Sequence, residues 1–389
     1  MVGKTYLGWD MHYIPLLIDK SAFQQLTTRE AKWLFHHFRV NFPPVFFAEV
    51  IADLTKARPT TASADGDVQM LARKIVSYAL DTNAESFHLV RSELHGAQVP
   101  MKGVTIEERA EEIISDDGRK GLFVDQAPTQ DMIDRWAAGD FSQLERDQAR
   151  VWREGIANFK LEEVFREIKK SKANNFSTHA EVGRFVDDSL LAAGNDFNLM
   201  TGAAIAYGVP TRVVRGMIAA WKRHGSPPFS EFFPYAHFCL RLELYFLTGI
   251  SHQVISTRDS NRIDIEYFKY LPFTRVFCSA DALHIDGYEQ FAQPHNVFVP
   301  GTEMKQALAE IADYWENLPE EERKTGTASY ADYPPVALNN AVTQVYDKII
   351  LDWRQHAAKP RTKITPEMND KIMAHLKPMM DAIEKQRKR

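Results

Sequence analysis

The feature that most constrains the fold is a short apolar run, Ile14–Ile18, that ends directly in an aspartate. Residues IPLLI are apolar without interruption, which is typical of a strand buried on both faces of a parallel sheet. Pro15 is compatible with this prediction because it lies at the start of the strand. Thr27 and Glu30 follow at the spacing of a capping box. The segment therefore predicts a strand, a loop and a helix.

Strand and helix signals alternate at both ends of the chain. Residues 39–42 (RVNF) predict a second strand, and Pro43-Pro44 predict the first turn of the next helix, where proline is tolerated. Towards the other end, residues 275–279 (RVFCS) predict a strand that leads to Asp281, and residues 296–299 (NVFV) predict a last strand. This alternation favours an α/β fold with a parallel sheet.

The middle of the chain has a different composition. Between residues 96 and 250, β-branched clusters are scarce, and segments such as PTRVVRGMIAAWKRHG predict amphipathic helices. A chain of 389 residues is also longer than one typical domain. We therefore divide it into the first part of an α/β domain (1–95), a helical insertion (96–250), the second part of the α/β domain (251–320) and a C-terminal helical extension (321–389).

The cysteines and the apolar segments indicate a cytoplasmic protein. Cys239 and Cys278 both lie in apolar runs, which predicts buried free thiols rather than a disulfide. The N-terminus lacks a signal-peptide pattern, and no apolar run approaches the ~18 residues of a membrane span, so no membrane partner is expected. The net charge of -5 argues against a large basic surface but permits a local basic groove.

Four carboxylates are predicted to meet at one end of the sheet. Asp19 and Asp281 each follow a predicted strand, and sites in parallel α/β sheets lie beyond the carboxyl ends of the strands. Asp264 falls in the first turn of a predicted helix, on its apolar face, where an unpaired carboxylate is costly to bury. Glu49 lies early in the helix that follows the second strand. We expect these side chains to form one site.

Oxygen ligands of this kind suit Mg²⁺ or Mn²⁺. All four carboxylates are therefore predicted metal ligands and catalytic residues. An ion held in this way activates water and holds a phosphate for in-line displacement. Ser21, two residues after Asp19, and Ser279, two residues before Asp281, are predicted to orient the ligands or the water through hydrogen bonds.

Three segments of the chain resemble the pattern of PIN-like nucleases: LLIDKSAF, PPVFFAEVIADL and NRIDIEYFKYLPFTRVFCSADALH. They share with that family an aspartate with a hydroxyl two residues on, a glutamate early in the second helix, an aspartate that opens a later helix, and a fourth acid in a Ser/Thr-x-Asp turn. The resemblance covers roughly residues 13–60 and 255–315. It implies a Rossmann-like three-layer sandwich with a parallel sheet, one or two Mg²⁺ or Mn²⁺ ions, and hydrolysis of phosphodiester bonds, most often in RNA.

A second set of residues is the predicted contact surface for nucleic acid. One predicted helix carries four basic side chains that are candidates for contacts with phosphate: Arg212, Arg215, Lys222 and Arg223. The expected partner is therefore a nucleic acid, RNA before DNA. A homo-oligomer or a regulatory protein partner stays open.

Two other functions stay open on the sequence alone. A Mg²⁺-dependent phosphohydrolase acting on a small phosphate ester would use a similar sheet, but its nucleophilic aspartate usually has a second aspartate two residues on, where this chain has Ser21. A catalytically inactive PIN-like scaffold or binding protein would act through its helical module. In such a protein we expect the carboxylates to be dispersed or paired with basic side chains.

Three further polar residues lie near these segments. His284, three residues past Asp281, is the best histidine candidate, and Asp286 is a further acid that could reach the metal. Asp81, in the stretch ALDTN, is not predicted to be the first aspartate of the site, because the residues before it (ARKIVSYAL) predict a helix.

Overall fold

The computed structural model describes residues 14–56, 64–78, 80–107, 110–124, 127–158, 176–192, 196–323, 331–358 and 366–387. Within these residues, five parallel strands form one sheet and two more form an antiparallel hairpin. In chain order the strands are β1 (Ile14–Ile18), β2 (Phe38–Phe42), β3 (Asp81–Thr82), β4 (Ala110–Ile114), β5 (Lys120–Val124), β6 (Val276–Ser279) and β7 (Val297–Pro300).

Helices connect and cover the strands, so the predicted α/β class is confirmed. In chain order they are α1 (Lys20–Gln25), α2 (Thr28–His37), α3 (Pro44–Ala52), α4 (Ala64–Ile75), α5 (Ser86–Leu94), α6 (Ala127–Ala138), α7 (Gln143–Asn158), α8 (His179–Ala192), α9 (Asp196–Ala206), α10 (Thr211–Arg223), α11 (Phe229–Phe232), α12 (Pro234–Ser251), α13 (Asn261–Phe268), α14 (Ala282–Gly287), α15 (Gly301–Glu316), α16 (Glu320–Arg323), α17 (Ala341–Ile349), α18 (Trp353–Ala357) and α19 (Pro366–Arg387).

The central strand of the sheet is β1, as its uninterrupted apolar run predicts. The strand order is β3-β2-β1-β6-β7, and all neighbours are parallel. Leu16, Leu17 and Ile18 are fully buried, as expected for a strand covered on both faces. The chain moves outwards from β1 to β3 and later from β6 to β7, so its direction reverses between β1 and β6. Groups that follow these two strands lie at the position where open α/β sheets bind ligands.

Two local sequence patterns near the start of the chain, a capping box and a proline pair, begin helices where they are predicted to. Thr27 caps α2: its side chain accepts a hydrogen bond from the Glu30 backbone N–H at 3.2 Å, and the Glu30 carboxylate accepts one from the Thr27 N–H at 2.7 Å. Pro44 occupies the first turn of α3. The strands β1, β2, β6 and β7 also lie where they are predicted, with small shifts at their ends.

The edge strand β3 corrects one sequence-based interpretation. Asp81 and Thr82 pair with Asn41 and Phe42 of β2, although the preceding residues predict a helix up to this point. That prediction is wrong at its end, because α4 stops at Ile75. The chain has enough length after α4 to turn into the sheet.

The middle segment contains a hairpin that its composition does not predict. Ala110 of β4 lies opposite Val124 of β5. The Ser115 N–H donates to the Arg119 carbonyl at 2.9 Å and closes the turn, in which Gly118 has a φ of 81°. Glutamates in β4 favour helix and conceal the strand, whereas the Asp-Asp-Gly sequence of the turn is the local signal for a hairpin.

Helices of the middle segment share a core with the sheet. The buried side chains of Trp136 in α6 and Leu242 in α12 belong to the same apolar cluster as those of β1. On the sheet itself, α15 packs against α1 and α2. Across the described ranges, every helix is too short or too polar to cross a membrane.

Candidate active site

Asp19 is held rigidly at the carboxyl end of β1. It caps α1, because its Oδ1 accepts a hydrogen bond from the Ala22 N–H at 2.8 Å. Its Oδ2 accepts from Ser21 Oγ at 2.7 Å and from Ser279 Oγ at 2.8 Å. The residue is only 3% exposed. Both hydroxyls predicted to orient the site therefore contact its first carboxylate.

His284 is fully buried and joins two parts of the site. Its Nε2 lies 2.6 Å from the backbone carbonyl oxygen of Asp264, so Nε2 carries a proton and donates, since a carbonyl only accepts. Its Nδ1 lies 2.7 Å from Ser279 Oγ. Because that hydroxyl gives its one hydrogen to Asp19, Nδ1 must also be protonated to complete the contact. Asp19, Ser279 and His284 therefore form a carboxylate–hydroxyl–imidazolium chain.

The pKa values of Asp19 and His284 agree with this proton count. Burial acts to raise the pKa of Asp19, but hydrogen bonding and the charge of His284 outweigh it, so the pKa is lowered. Burial acts to lower the pKa of His284, but the interactions with Asp19 outweigh it, so this pKa is raised. The Nδ1–Oδ2 distance between them is 3.6 Å. Both shifts favour the ionised forms of Asp19 and His284.

Asp264 and Asp281 meet around one arginine nitrogen. Arg258 Nη2 lies 3.1 Å from Asp264 Oδ2 and 2.9 Å from Asp281 Oδ2. Asp281 caps α14 through its Oδ1, which accepts from the Leu283 N–H at 2.8 Å. Asp264 lies in the first turn of α13 and is buried. Burial and the charge of Asp281 raise the pKa of Asp264 to about 6, against the opposing charges of His284 and Arg258.

Glu49 adjoins these groups from α3. Its Oε2 accepts a hydrogen bond from the buried Tyr267 hydroxyl at 2.5 Å. Burial raises the pKa of Glu49 to about 7, and the charges of Asp264 and Asp19 add to the rise. The Lys20 ammonium donates to the Glu49 backbone carbonyl at 2.9 Å. Glu49 therefore lies within the electrostatic field of the other carboxylates.

Lys20, which directly follows Asp19, forms an ion pair with a different carboxylate. Its Nζ lies 2.6 Å from Asp53 Oδ2, and both side chains are largely buried. The ammonium therefore forms its ion pair with Asp53 rather than with Asp19.

We call Asp19, Glu49, Asp264 and Asp281 the acidic cluster. Its donor chemistry fits Mg²⁺ or Mn²⁺, because these ions prefer carboxylate oxygens. Burial of like charges raises the pKa of Glu49 and Asp264, so an added cation would stabilise their ionised forms. In the described part of the chain, no group of three such side chains is arranged to hold a metal ion. Arg258 lies between two of these carboxylates, at the position where a cation would be attracted.

Arg258 is a member of this network that the sequence did not predict. It lies in the loop between α12 and α13, and its Nη2 also donates to Asn261 Oδ1 at 3.2 Å. The signal was present, since Arg258 and Asn261 precede Asp264 at successive intervals of three residues, which places all three on one side of the helix start. A basic residue six positions before a buried acid, at twice the spacing of neighbours on a helix surface, is within reach of that acid.

Two other candidates lie outside this network. Asp286 is exposed on α14, and its charge acts on His179 and Tyr245 rather than on the acidic cluster. The four basic residues of α10 are all exposed, while the Met217 and Trp221 side chains on the same helix are buried. Arg212, Arg215, Lys222 and Arg223 therefore form a surface that faces solvent and are no part of the acidic cluster.

No protein-family model, curated protein or solved structure matches this chain. The arrangement of the acidic cluster and the sequence resemblance to PIN-like nucleases are therefore the basis for assigning a function.

Proposed function

We propose that the protein is a metal-dependent nuclease, most readily a ribonuclease, built on a three-layer PIN-like domain with a helical insertion. The observation that carries the proposal is the convergence of Asp19, Asp264 and Asp281, from three separate elements, on one hydrogen-bonded network beyond β1 and β6. Support also comes from the strand order, since this position is the reversal point of the sheet.

Asp19, Asp264 and Asp281 would hold a Mg²⁺ or Mn²⁺ ion, with Glu49 beside them. The chemistry that such an ion supplies, when bound, is the acidification of water and the neutralisation of phosphate charge. Ser21 and Ser279 hold the Asp19 carboxylate in one orientation. Their hydrogen bonds fix the direction in which its remaining lone pairs face the cluster.

Glu49 is suited to take a proton from the attacking water. Its pKa of about 7 lies near neutral pH, where a general base combines an adequate ionised fraction with adequate basicity. The Tyr267 hydroxyl holds Oε2, which leaves Oε1 as the oxygen that receives the proton. Tyr267 is itself buried, so it orients the base without needing to move.

RNA is the preferred substrate for two reasons. PIN-like nucleases, which the sequence resembles, most often cleave RNA, and α10 presents four exposed basic residues to solvent. Contacts from Arg212, Arg215, Lys222 and Arg223 to phosphates would supply sequence-independent affinity. We place the protein in the cytoplasm, and a homo-oligomer or a regulatory protein partner is compatible with this role.

A second candidate function is favoured by one observation. Arg258 already neutralises Asp264 and Asp281, as expected of an inactive PIN-like scaffold whose former site has become a set of ion pairs. In that protein the helical segment would bind partners and the acidic cluster would have no affinity for metal. A phosphohydrolase acting on a small phosphate ester has less support, because Ser21 stands where a second aspartate is usual.

Cleavage assays with labelled single-stranded RNA, tRNA, DNA and p-nitrophenyl phosphate, each with Mg²⁺ or Mn²⁺, test the proposal. The wild type is compared with Asp19→Asn and with Asp286→Asn, an exposed aspartate outside the cluster. Metal-dependent cleavage of RNA that is lost only in Asp19→Asn supports a nuclease. Turnover of the small ester alone indicates the phosphohydrolase. Absence of turnover with every substrate favours the scaffold.

A further inference from the structure

Among the described residues, the guanidinium of Arg258 makes its hydrogen bonds through a single nitrogen. Nη2 makes all of its hydrogen bonds within the described residues, to Asn261, Asp264 and Asp281. Nε and Nη1 make none there, and the side chain is 57% exposed. More than half of the Arg258 side chain is therefore open to solvent, while its Nη2 contacts two carboxylates of the acidic cluster.

This arrangement combines two properties in one cation. Both forked edges of an arginine side chain, Nε with Nη2 and Nη1 with Nη2, include Nη2, so a guanidinium that has released its Nη2 contacts can bind two oxygens of a phosphate in a bidentate manner. The Nη2 end of the guanidinium places positive charge between Asp264 and Asp281. A divalent cation would be attracted to the same position. The same side chain therefore competes with the metal and is suited to bind the substrate.

Asp281 and the loop that carries Arg258 keep other contacts when the Arg258 side chain leaves. Its backbone belongs to the loop between α12 and α13 rather than to a helix. Asp281 stays fixed by its cap on α14. Asn261 anchors the loop separately, since its Nδ2 donates to the Ser256 carbonyl at 2.8 Å. Among the described residues, rotation of the Arg258 side chain would break only the three hydrogen bonds of Nη2.

We propose that Arg258 is the phosphate-binding residue of this site and that it leaves Asp264 and Asp281 when a divalent cation takes their charge. The inference rests on the proposed nuclease function. Arg258 would then act in two successive events. Binding of the cation releases the guanidinium, and the released guanidinium binds the two non-bridging oxygens of the phosphodiester.

Arg258→Gln tests the inference through two readouts that change in opposite directions. Mn²⁺ titration followed by electron paramagnetic resonance is expected to show tighter binding than in the wild type, by about fivefold or more, because the internal competitor is gone. Cleavage of single-stranded RNA at saturating Mn²⁺ is expected to lose about 10- to 100-fold in kcat/KM, because the phosphate contact is gone. If Arg258 had a purely structural role, its replacement would weaken both Mn²⁺ binding and RNA cleavage.

Two control variants separate charge from position. Arg184→Gln removes an exposed arginine from α8 and should change neither readout. Arg258→Lys keeps the positive charge but not the planar fork, so we expect Mn²⁺ affinity near that of the wild type with partial recovery of cleavage relative to Arg258→Gln. Thermal melts of all variants confirm that they are folded.

The outcomes distinguish this inference from the function on which it rests. If the wild type binds no Mn²⁺ and cleaves no RNA, both proposals are overturned. If the wild type binds Mn²⁺ and cleaves RNA, but Arg258→Gln binds Mn²⁺ equally or more weakly, or cleaves RNA as fast as the wild type, only the role of Arg258 is overturned.

Discussion

The Nδ1 of His284 lies 3.6 Å from Asp19 Oδ2, and both side chains are buried at the carboxyl end of the central strand. Ser279 stands between them and hydrogen-bonds to both. The charged imidazole therefore holds the first carboxylate of the acidic cluster ionised. Additional hydrogen bonds of this kind stabilise a buried ion pair, because a buried charge with unsatisfied hydrogen-bonding groups is costly.

Ser279→Ala should destabilise the protein more than Ser21→Ala. The first change removes a fully buried hydroxyl and leaves Asp19 and His284 without their shared partner, which we expect to cost about 1–3 kcal/mol. The second removes one hydrogen bond from an exposed serine and should cost about 0.5–1 kcal/mol. Urea denaturation at pH 7.5 measures both losses. Equal losses would mean that the Asp19–Ser279–His284 chain adds nothing to stability.

Glu49→Gln should stabilise the protein at high pH but not at low pH. The folded state raises the pKa of Glu49 from 4.5 to about 7, so it binds this proton more tightly than the unfolded state does. The wild type therefore loses stability as the pH rises through that interval and loses nothing below it. At pH 8 we expect a gain of about 1–2 kcal/mol, less than the full linkage value because Glu49 is partly exposed.

The comparison that checks this gain is denaturation at pH 4.5 and pH 8. Glutamine keeps an oxygen for the Tyr267 hydroxyl, so the substitution removes the charge and little else. Asp286→Asn, an exposed change of the same kind, should give the same small effect at both pH values. A gain for Glu49→Gln that does not vary with pH would show that its carboxylate is not the destabilising group.

Mn²⁺ affinity should increase as the pH rises from 5.5 to 8. A bound cation favours the ionised forms of its ligand Asp264 and of the adjoining Glu49, and the pKa values of these two groups are raised to about 6 and about 7. Each proton released on binding strengthens the affinity by up to about tenfold per pH unit below the pKa of its group. Titration at several pH values checks this, and Glu49→Gln should remove the step near pH 7 only. A flat profile would exclude Asp264 as a ligand and would show that Glu49 does not adjoin the bound ion.

Charge reversal on α10 should weaken RNA binding without changing the rate of the chemical step. In Arg212→Glu/Arg215→Glu we expect a higher KM for long RNA and a shallower salt dependence, by about one unit of slope per lost phosphate contact. Turnover of a dinucleotide substrate should be unchanged. Lys371→Glu/Lys377→Glu on exposed α19 is the matched control. If the control weakens binding equally, α10 is not a specific contact surface.

The sequence predicts the sheet well where a single physical signal dominates. The uninterrupted apolar run of β1 and the strand–aspartate pairs at Asp19 and Asp281 are sufficient to locate the carboxyl edge of the sheet. The same reasoning fails for β3, because Asp81 and Thr82 form so short an edge strand that no periodicity exists. It also fails for the β4–β5 hairpin, where exposed glutamates favour helix and the pairing of two strands decides the outcome.

The acidic cluster is predicted only in part, because its members interact across the chain. Asp19, Ser21 and Ser279 come together as expected, and Asp264 joins Asp281. The sequence pattern cannot show that Arg258 neutralises the last two, or that His284 is protonated beneath the first. The first depends on contacts between side chains from separate segments, and the second on burial and on the hydrogen bond to the Asp264 carbonyl, all of which only the folded arrangement determines.

The central claim is that the acidic cluster binds a divalent cation. The most direct test is the loss of the free Mn²⁺ paramagnetic resonance signal on titration with wild type, Asp281→Asn and Asp286→Asn at pH 8. Asparagine still caps α14 in the first variant, so folding should be retained. We predict Mn²⁺ binding by the wild type and by Asp286→Asn, and affinity at least about tenfold weaker for Asp281→Asn. Identical binding by all three proteins, or binding by none, would contradict the account.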